Sequence, residues 1–167
     1  MGTAKADLIK GFRAEHTHLN EGLAGLTDVL DRLRQGIDSE SLRGLRRTEQ
    51  FLRKELIPHA EWEELTFYPG VGELVRRHGD VNATMLIDHR EILTRIEEFL
   101  TLTRRIEGGE SEPALLDRAR ILGYQIRALV DVHCLKEEEV YCELLHRHLS
   151  DAEVVHALAI GDQMGHD

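Results

Sequence analysis

Cysteine, proline and aromatic residues are scarce in this chain. Only two cysteines, Cys134 and Cys142, occur in 167 residues, eight positions apart in what is read below as one helix. That spacing rises about 12 Å at ~1.5 Å per residue, beyond the ~7 Å between Cα atoms that a disulfide tolerates. A disulfide framework is excluded, which suits a reducing compartment. No apolar run approaches the ~20 residues that span a bilayer, and the opening residues Met1 to Asp7 lack the apolar stretch of a signal peptide. A cytoplasmic protein is expected. Basic residues are also few: 21 Lys and Arg stand against 31 Asp and Glu, a formal charge of −10. Nucleic-acid and anionic-membrane partners need clustered cations, and spots such as Arg104-Arg105 are too small to supply them.

With only three prolines, the chain is interrupted by short breaks at Gly36–Ser41, Pro69–Gly72 and Gly108–Pro113. Between them the apolar residues recur by threes and fours, the period of a helix face. The first stripe is Ile9, Phe12, His16, Leu19, Leu23, Leu26, Leu30 and Leu33. A second runs Leu42, Leu45, Glu49, Leu52, Leu56, His59, Glu63 and Phe67, with Pro58 expected to kink it because proline lacks an amide donor. The third starts near Gly79 or Asp80 and reads Met85, His89, Ile92, Ile96, Phe99, Thr103 and Ile106, widened by Leu86, Leu93 and Leu100. The fourth opens at Ser111-Glu112-Pro113 and reads Leu115, Ala119, Leu122, Ile126, Leu129, His133, Glu137, Val140 and Leu144. Asp151 to Ile160 is a candidate for a short C-terminal helix, and Asp162 to Asp167 for a frayed tail. At 41% hydrophobic and 31% charged residues, a single all-α domain over 1–167 is expected. Its simplest architecture is an antiparallel up-down-up-down four-helix bundle.

Ten histidines are present, and four of them interrupt these stripes. The interruptions are His16, His59, Glu63, His89, His133 and Glu137, in an order that repeats. His16 and His59 are 43 residues apart, and His89 and His133 are 44 apart. Each second histidine begins the same phrase, His59-x-x-x-Glu63-Glu64 and His133-x-x-x-Glu137-Glu138, and each first one follows an acid, Glu15 or Asp88. One helix pair used twice would bring all six side chains to one level of the core. Burying two carboxylates and four imidazoles there without partners costs several kcal/mol per ion, and a cation removes that cost. Four nitrogen donors and up to four oxygens exceed a tetrahedral zinc site and lack its thiolates, and they miss the oxygen-only preference of calcium and magnesium. Two transition ions can share the set, with Glu63 and Glu137 bridging and at least one position open on each. Imidazole with carboxylate suits iron, with manganese as the other ion.

The series His, His-x-x-x-Glu, His, His-x-x-x-Glu resembles the hemerythrin-like, or HHE cation-binding, domain over about Ala6 to His148. The phrases Pro58-His59-Ala60-Glu61-Trp62-Glu63-Glu64 through Phe67-Tyr68-Pro69, and His133 through Glu137-Glu138-Glu139 to Tyr141, carry the likeness. The resemblance implies a non-haem di-iron centre of two iron ions with an oxo or hydroxo bridge. Its expected ligands are His16, His59, Glu63, His89, His133 and Glu137. The oxygen-carrying members use five histidines, two of them spaced by four on the third helix, whereas Met85 and Leu93 flank His89 here. The likeness therefore implies sensing, iron handling or redox chemistry with a small ligand such as oxygen, peroxide or nitric oxide, by turnover or as a sensor without it.

Other positions are assigned by their place on the helices. His18 lies about 200° around the helix from His16 and is expected to face solvent. Glu61, Glu64 and Glu138 read as solvated acids, with hydrogen bonding to a ligand imidazole as the alternative. Tyr68 and Tyr141 trail the two ligand pairs, either packing at a bundle end or turning a hydroxyl toward the metal. Cys134 and Cys142 read as small buried residues, and Trp62 as cover for the flank. His78, His146, His148, His156 and His166 fall near helix ends or in the tail.

Overall fold

The computed structural model describes residues 3–79 and 81–156, and every element among them is helical. Helix α1 covers Ala4–Leu33, α2 Ser39–Phe51, α3 Ile57–Trp62, α4 Tyr68–Arg77, α5 Asn82–Glu107, α6 Pro113–Lys136 and α7 Cys142–His148. Three π turns, Leu52–Leu56, Glu63–Phe67 and Glu137–Tyr141, join α2 to α3, α3 to α4 and α6 to α7. Residues 151–156 are also helical, and the rest of the expected terminal segment, with the tail and His166, lies outside the described residues.

Pro69–Gly72 is no break, since it lies within α4, where Pro69 takes an early helical position; the breaks that do occur have local causes. Gly36 and Gly109 adopt φ of 126° and 99° at the ends of α1 and α5, a left-handed conformation that only glycine enters without strain. Asp38 caps α2 by accepting from the Ser41 amide at 2.6 Å while Ser41 Oγ accepts from the Asp38 amide at 2.8 Å, a reciprocal box that satisfies two orphan donors. Pro58 sits just beyond the first π turn, whose closing bond runs from the Ile57 amide to the Leu52 carbonyl.

The π turns correct part of the expected core. His59, Glu63, Phe67, Val71 and Val75 are buried at steps of four, as are His133, Glu137, Tyr141 and Leu145. That period exceeds the 3.6 residues of an α-turn, so a uniform α-helix would carry the stripe off its face. The extra residue in each π turn takes up the excess. In the fourth stripe the shift moves Val140 out, to 38% exposure, and places Tyr141 and Leu145 in the core, where the plain helical period puts Val140 and Leu144. Leu86 is likewise exposed, and Glu49 is half-buried and paired with Arg53 at 2.8 Å.

The chain divides into two compact units. One comprises the described parts of Met1–Thr17, Pro58–His89 and His133–Asp167. Its core gathers Phe12, Phe67, Tyr68, Val71, Val75, Met85, Tyr141, Cys142 and Leu145, with Trp62 packed half-buried against it. The other comprises His18–Ile57 and Arg90–Val132, and its buried face is aliphatic: Leu19, Leu23, Leu26, Leu30, Leu45, Leu52, Ile96, Leu122 and Ile126, with Phe99 the large aromatic. In this second unit α1 and α2 approach closely, since a Cβ on Gly22 would overlap the Phe51 ring and one on Gly44 would overlap Val29.

Candidate metal centre

All six residues that interrupt the stripes fall in the first unit and are buried there. α1 supplies His16, α3 His59, α5 His89 and α6 His133, while Glu63 and Glu137 are the first residues of their π turns. His16, Glu63 and Glu137 have no exposed surface at all. The inward atoms converge. Glu63 Oε1 is 3.0 Å from His59 Nε2, and its Oε2 is 3.1 Å from His89 Nε2 and 3.7 Å from His133 Nε2. Glu137 Oε2 is 3.3 Å from His16 Nε2 and 3.4 Å from His133 Nε2. Two groups of ligand atoms are each close enough to hold one ion, His16 with His59, Glu63 and Glu137, and Glu63 with His89 and His133. Glu63 belongs to both.

Behind each imidazole stands a carboxylate. His16 Nδ1 is 3.0 Å from Glu138 Oε1 and His89 Nδ1 is 2.9 Å from Glu64 Oε1. His59 Nδ1 lies 3.2 Å from Glu15 Oε1, and His133 Nδ1 3.4 Å from Asp88 Oδ2, which also pairs with Lys136. The pattern is cyclic in chain order: the acid beside His16 serves His59, the acid beside Glu63 serves His89, the acid beside His89 serves His133, and the acid beside Glu137 returns to His16. Such partners fix the ring orientation and raise the basicity of the inward nitrogen. Glu64 and Glu138 thus take the hydrogen-bonding role, while Glu15 and Asp88 were legible only as the acids preceding the two histidines.

The charges interlock. Burial would raise the Glu63 carboxyl, but the imidazoles of His133, His59 and His89 outweigh it and hold it well below its ordinary value. Burial likewise opposes charge on His59, yet Glu15 and Glu63 push its imidazole up to about 10. His16, beside Glu137 and Glu138, and His89, beside Glu63 and Glu64, are raised against burial in the same way. Burial foremost, then the charges of Glu63 and Glu137, raises the Tyr68 phenol, so it stays protonated and donates to Glu137 Oε1 at 2.6 Å. Tyr141 donates to Asn82 Oδ1, and Asn82 Nδ2 donates to the Tyr68 carbonyl at 3.1 Å.

These atoms fit a cation. Both oxygens of Glu63, Oε2 of Glu137, the Nε2 atoms of His16 and His59, and His59 Nδ1, which meets Glu15 only as an ion-pair contact at 3.2 Å, are buried without a hydrogen-bond partner, a costly state for groups of this polarity. The Nε2 atoms of His89 and His133 face each other at 2.9 Å. With the Nδ1 atoms directed to Glu64 and Asp88, both inward nitrogens can offer lone pairs to a cation once the proton between them is displaced.

Elsewhere, His18 is 64% exposed at its side chain and pairs with Glu55 at 2.6 Å. Cys134 and Cys142 are buried, and burial pushes the Cys142 thiol up to about 11. Exposed His78 and His148 lie tilted against each other with ring centroids 4.1 Å apart.

Helical segments that carry a buried cluster of imidazoles and carboxylates define a helical protein able to hold metal cations in its core. Residues 7–145 match the model of the hemerythrin HHE cation binding domain, and the chain belongs to that family. No curated protein matches it significantly.

Proposed function

We propose that this chain holds two iron ions, with His16, His59, Glu63, His89, His133 and Glu137 as ligands, and that it binds or reacts with a small oxidant in a redox or stress response. Manganese is the alternative metal. The observation that carries the reading is Glu63, a fully buried carboxylate whose two oxygens serve two separate donor groups and have no other partner. Iron in such a site supplies redox capacity and an open position for oxygen, peroxide or nitric oxide. The protein's own part is to fix the donors: the four carboxylates behind the imidazoles hold each ring with Nε2 inward, and the Phe12 ring packs edge-on against His16 with centroids 4.7 Å apart. The reading includes one up-down-up-down four-helix domain over 1–167 and a cytoplasmic setting, the latter supported by the lack of any described helix long and apolar enough to cross a membrane. Iron analysis after anaerobic loading tests it. About two irons per chain with a near-ultraviolet ligand-to-metal band is the expected result, and a chain that retains no more than traces sinks the proposal.

A second reading, an iron- or oxygen-responsive module without turnover, draws on the same unpartnered atoms. They come from three stretches of chain far apart in sequence, so a bound cation would hold those stretches together and become folding energy. A large rise in melting temperature on iron loading, with negligible peroxide consumption, favours this reading over the first.

A further inference from the structure

The buried cluster leaves several histidines of the same unit unused. His78 directly follows α4, and His148 is the last residue of α7. They come from opposite halves of the chain, yet their rings lie side by side, with centroids 4.1 Å apart and planes 30° apart. Both residues are exposed, and among the described residues neither ring makes a hydrogen bond or an ion pair. His148 also lines an open cavity with His156, Glu73, Arg76, Arg77 and Glu153. The acids there are engaged: Glu73 pairs with Arg77, and Glu153 accepts from the Ser150 amide at 2.8 Å and hydroxyl at 2.7 Å. The donors left over at this place are imidazole nitrogens. His146 is placed differently, two positions from His148 and so about 200° around the helix, with its carbonyl accepting from Lys5 Nζ at 2.8 Å.

We propose that His78 and His148 form a second metal site, on the surface, for a borderline divalent ion such as zinc, nickel or copper(II). Imidazole suits those ions, whereas calcium and magnesium take oxygen ligands. A nitrogen–zinc bond is ~2.0–2.1 Å long, and two exposed rings this close need only turn about their own side-chain torsions to aim one nitrogen each at a common ion. The carbonyl ends of α4 and α7 favour positive charge beside them. Arg76, which has no acid beside it, works against a cation, so the attraction must come from direct bonds to the imidazoles. Among the described residues, three or more donors converge only in the buried cluster, so water completes the surface site. The two sites share no residue, and the surface ion adds to whatever the buried cluster holds.

Residue-resolved NMR of the histidine rings during zinc addition to the metal-free full chain tests this, because it separates surface from buried imidazoles. Zinc is expected to shift the ring nitrogens of His78 and His148 together, over one range of concentration, while those of His146 stay in place. Magnesium is expected to move none of them. His78→Ala is expected to weaken the zinc response of His148 about tenfold or more, a loss of at least ~1.4 kcal/mol, and His146→Ala to leave it unchanged. Both positions are exposed, so neither substitution threatens the fold. Rings of His78 and His148 that ignore excess zinc overturn the inference, as does a His148 response unaltered by His78→Ala, or an equal response to magnesium. A failure of the two-ion reading would show instead in the rings of His16, His59, His89 and His133, and leaves this test intact.

Discussion

The two compact units use the same helices for opposite purposes. Along α1, the positions after His16 that continue its stripe are Leu19, Leu23, Leu26 and Leu30, all buried, and their burial is favourable by about 1.5–3 kcal/mol each. At the level of His16 the same spacing presents an imidazole to two glutamates. The aliphatic unit needs no ion, because the unpartnered polar atoms it buries, such as Thr103 Oγ1, are isolated and not a converging set of carboxylates and imidazoles. The site unit differs, since it buries carboxylate oxygens and imidazole nitrogens that only a cation or a set of protons can satisfy. Helical periodicity can thus specify a face without specifying what holds that face together.

The sharpest break in this comparison is expected from Glu63→Ala, which deletes the one carboxylate common to both donor groups. Metal analysis of the purified variant should find essentially no bound iron, while circular dichroism still reports a helical chain. Next comes Leu23→Ala in the aliphatic unit. It should lower stability by about 2–5 kcal/mol with unchanged metal stoichiometry, and a loss of metal in this variant would refute the separation of roles. Glu15→Ala is expected to weaken metal binding about 10–100-fold, by freeing the His59 ring, as read by competition with a chelator.

Proton linkage gives a smaller effect with a defined sign. In the metal-free protein His59 is raised from 6.5 to about 10, so its pairing with Glu15 and Glu63 contributes stability that is fully present below 6.5 and is lost as pH rises through about 10. Thermal unfolding of metal-free protein should show that loss, and His59→Gln should abolish it. Metal affinity runs the other way, weakening in acid as protons compete for the same nitrogens. Least of all, His18→Ala should change stability by no more than ~0.5 kcal/mol, because its contact with Glu55 is exposed and such pairs contribute little.

Sequence alone revealed four helical stripes and the six polar interruptions, because burial acts on every third or fourth residue and a charge on such a face is conspicuous, but it put a break where α4 runs. It did not reveal what depends on neighbouring helices. Glu15 and Asp88 lie about 100° from the core face of their own helices, and only the packing of the next segment turns them into partners of His59 and His133. Nor did it reveal the phase of Val140 and Tyr141, which depends on a single extra residue in the π turn at Glu137. The available signal was the run of fours itself, His59, Glu63, Phe67, Val71 and Val75, which is longer than a 3.6-residue period keeps on one face. The target of the Tyr68 hydroxyl is set by Glu137, 69 residues away.

The cyclic order of the carboxylates has a geometrical consequence. Each acid reaches the imidazole of the next ligand-bearing segment along the chain, and the last returns to the first, so the circuit has a sense of rotation. Leucine stripes alone discriminate weakly between a clockwise and a counter-clockwise order of the same helices, since either buries similar area. The acids do discriminate: in the reversed arrangement Glu15, Glu64, Asp88 and Glu138 would point away from the rings they now face, leaving the four Nδ1 atoms without a carboxylate beside them. The groups that orient the ligands therefore also encode the handedness of the fold around them.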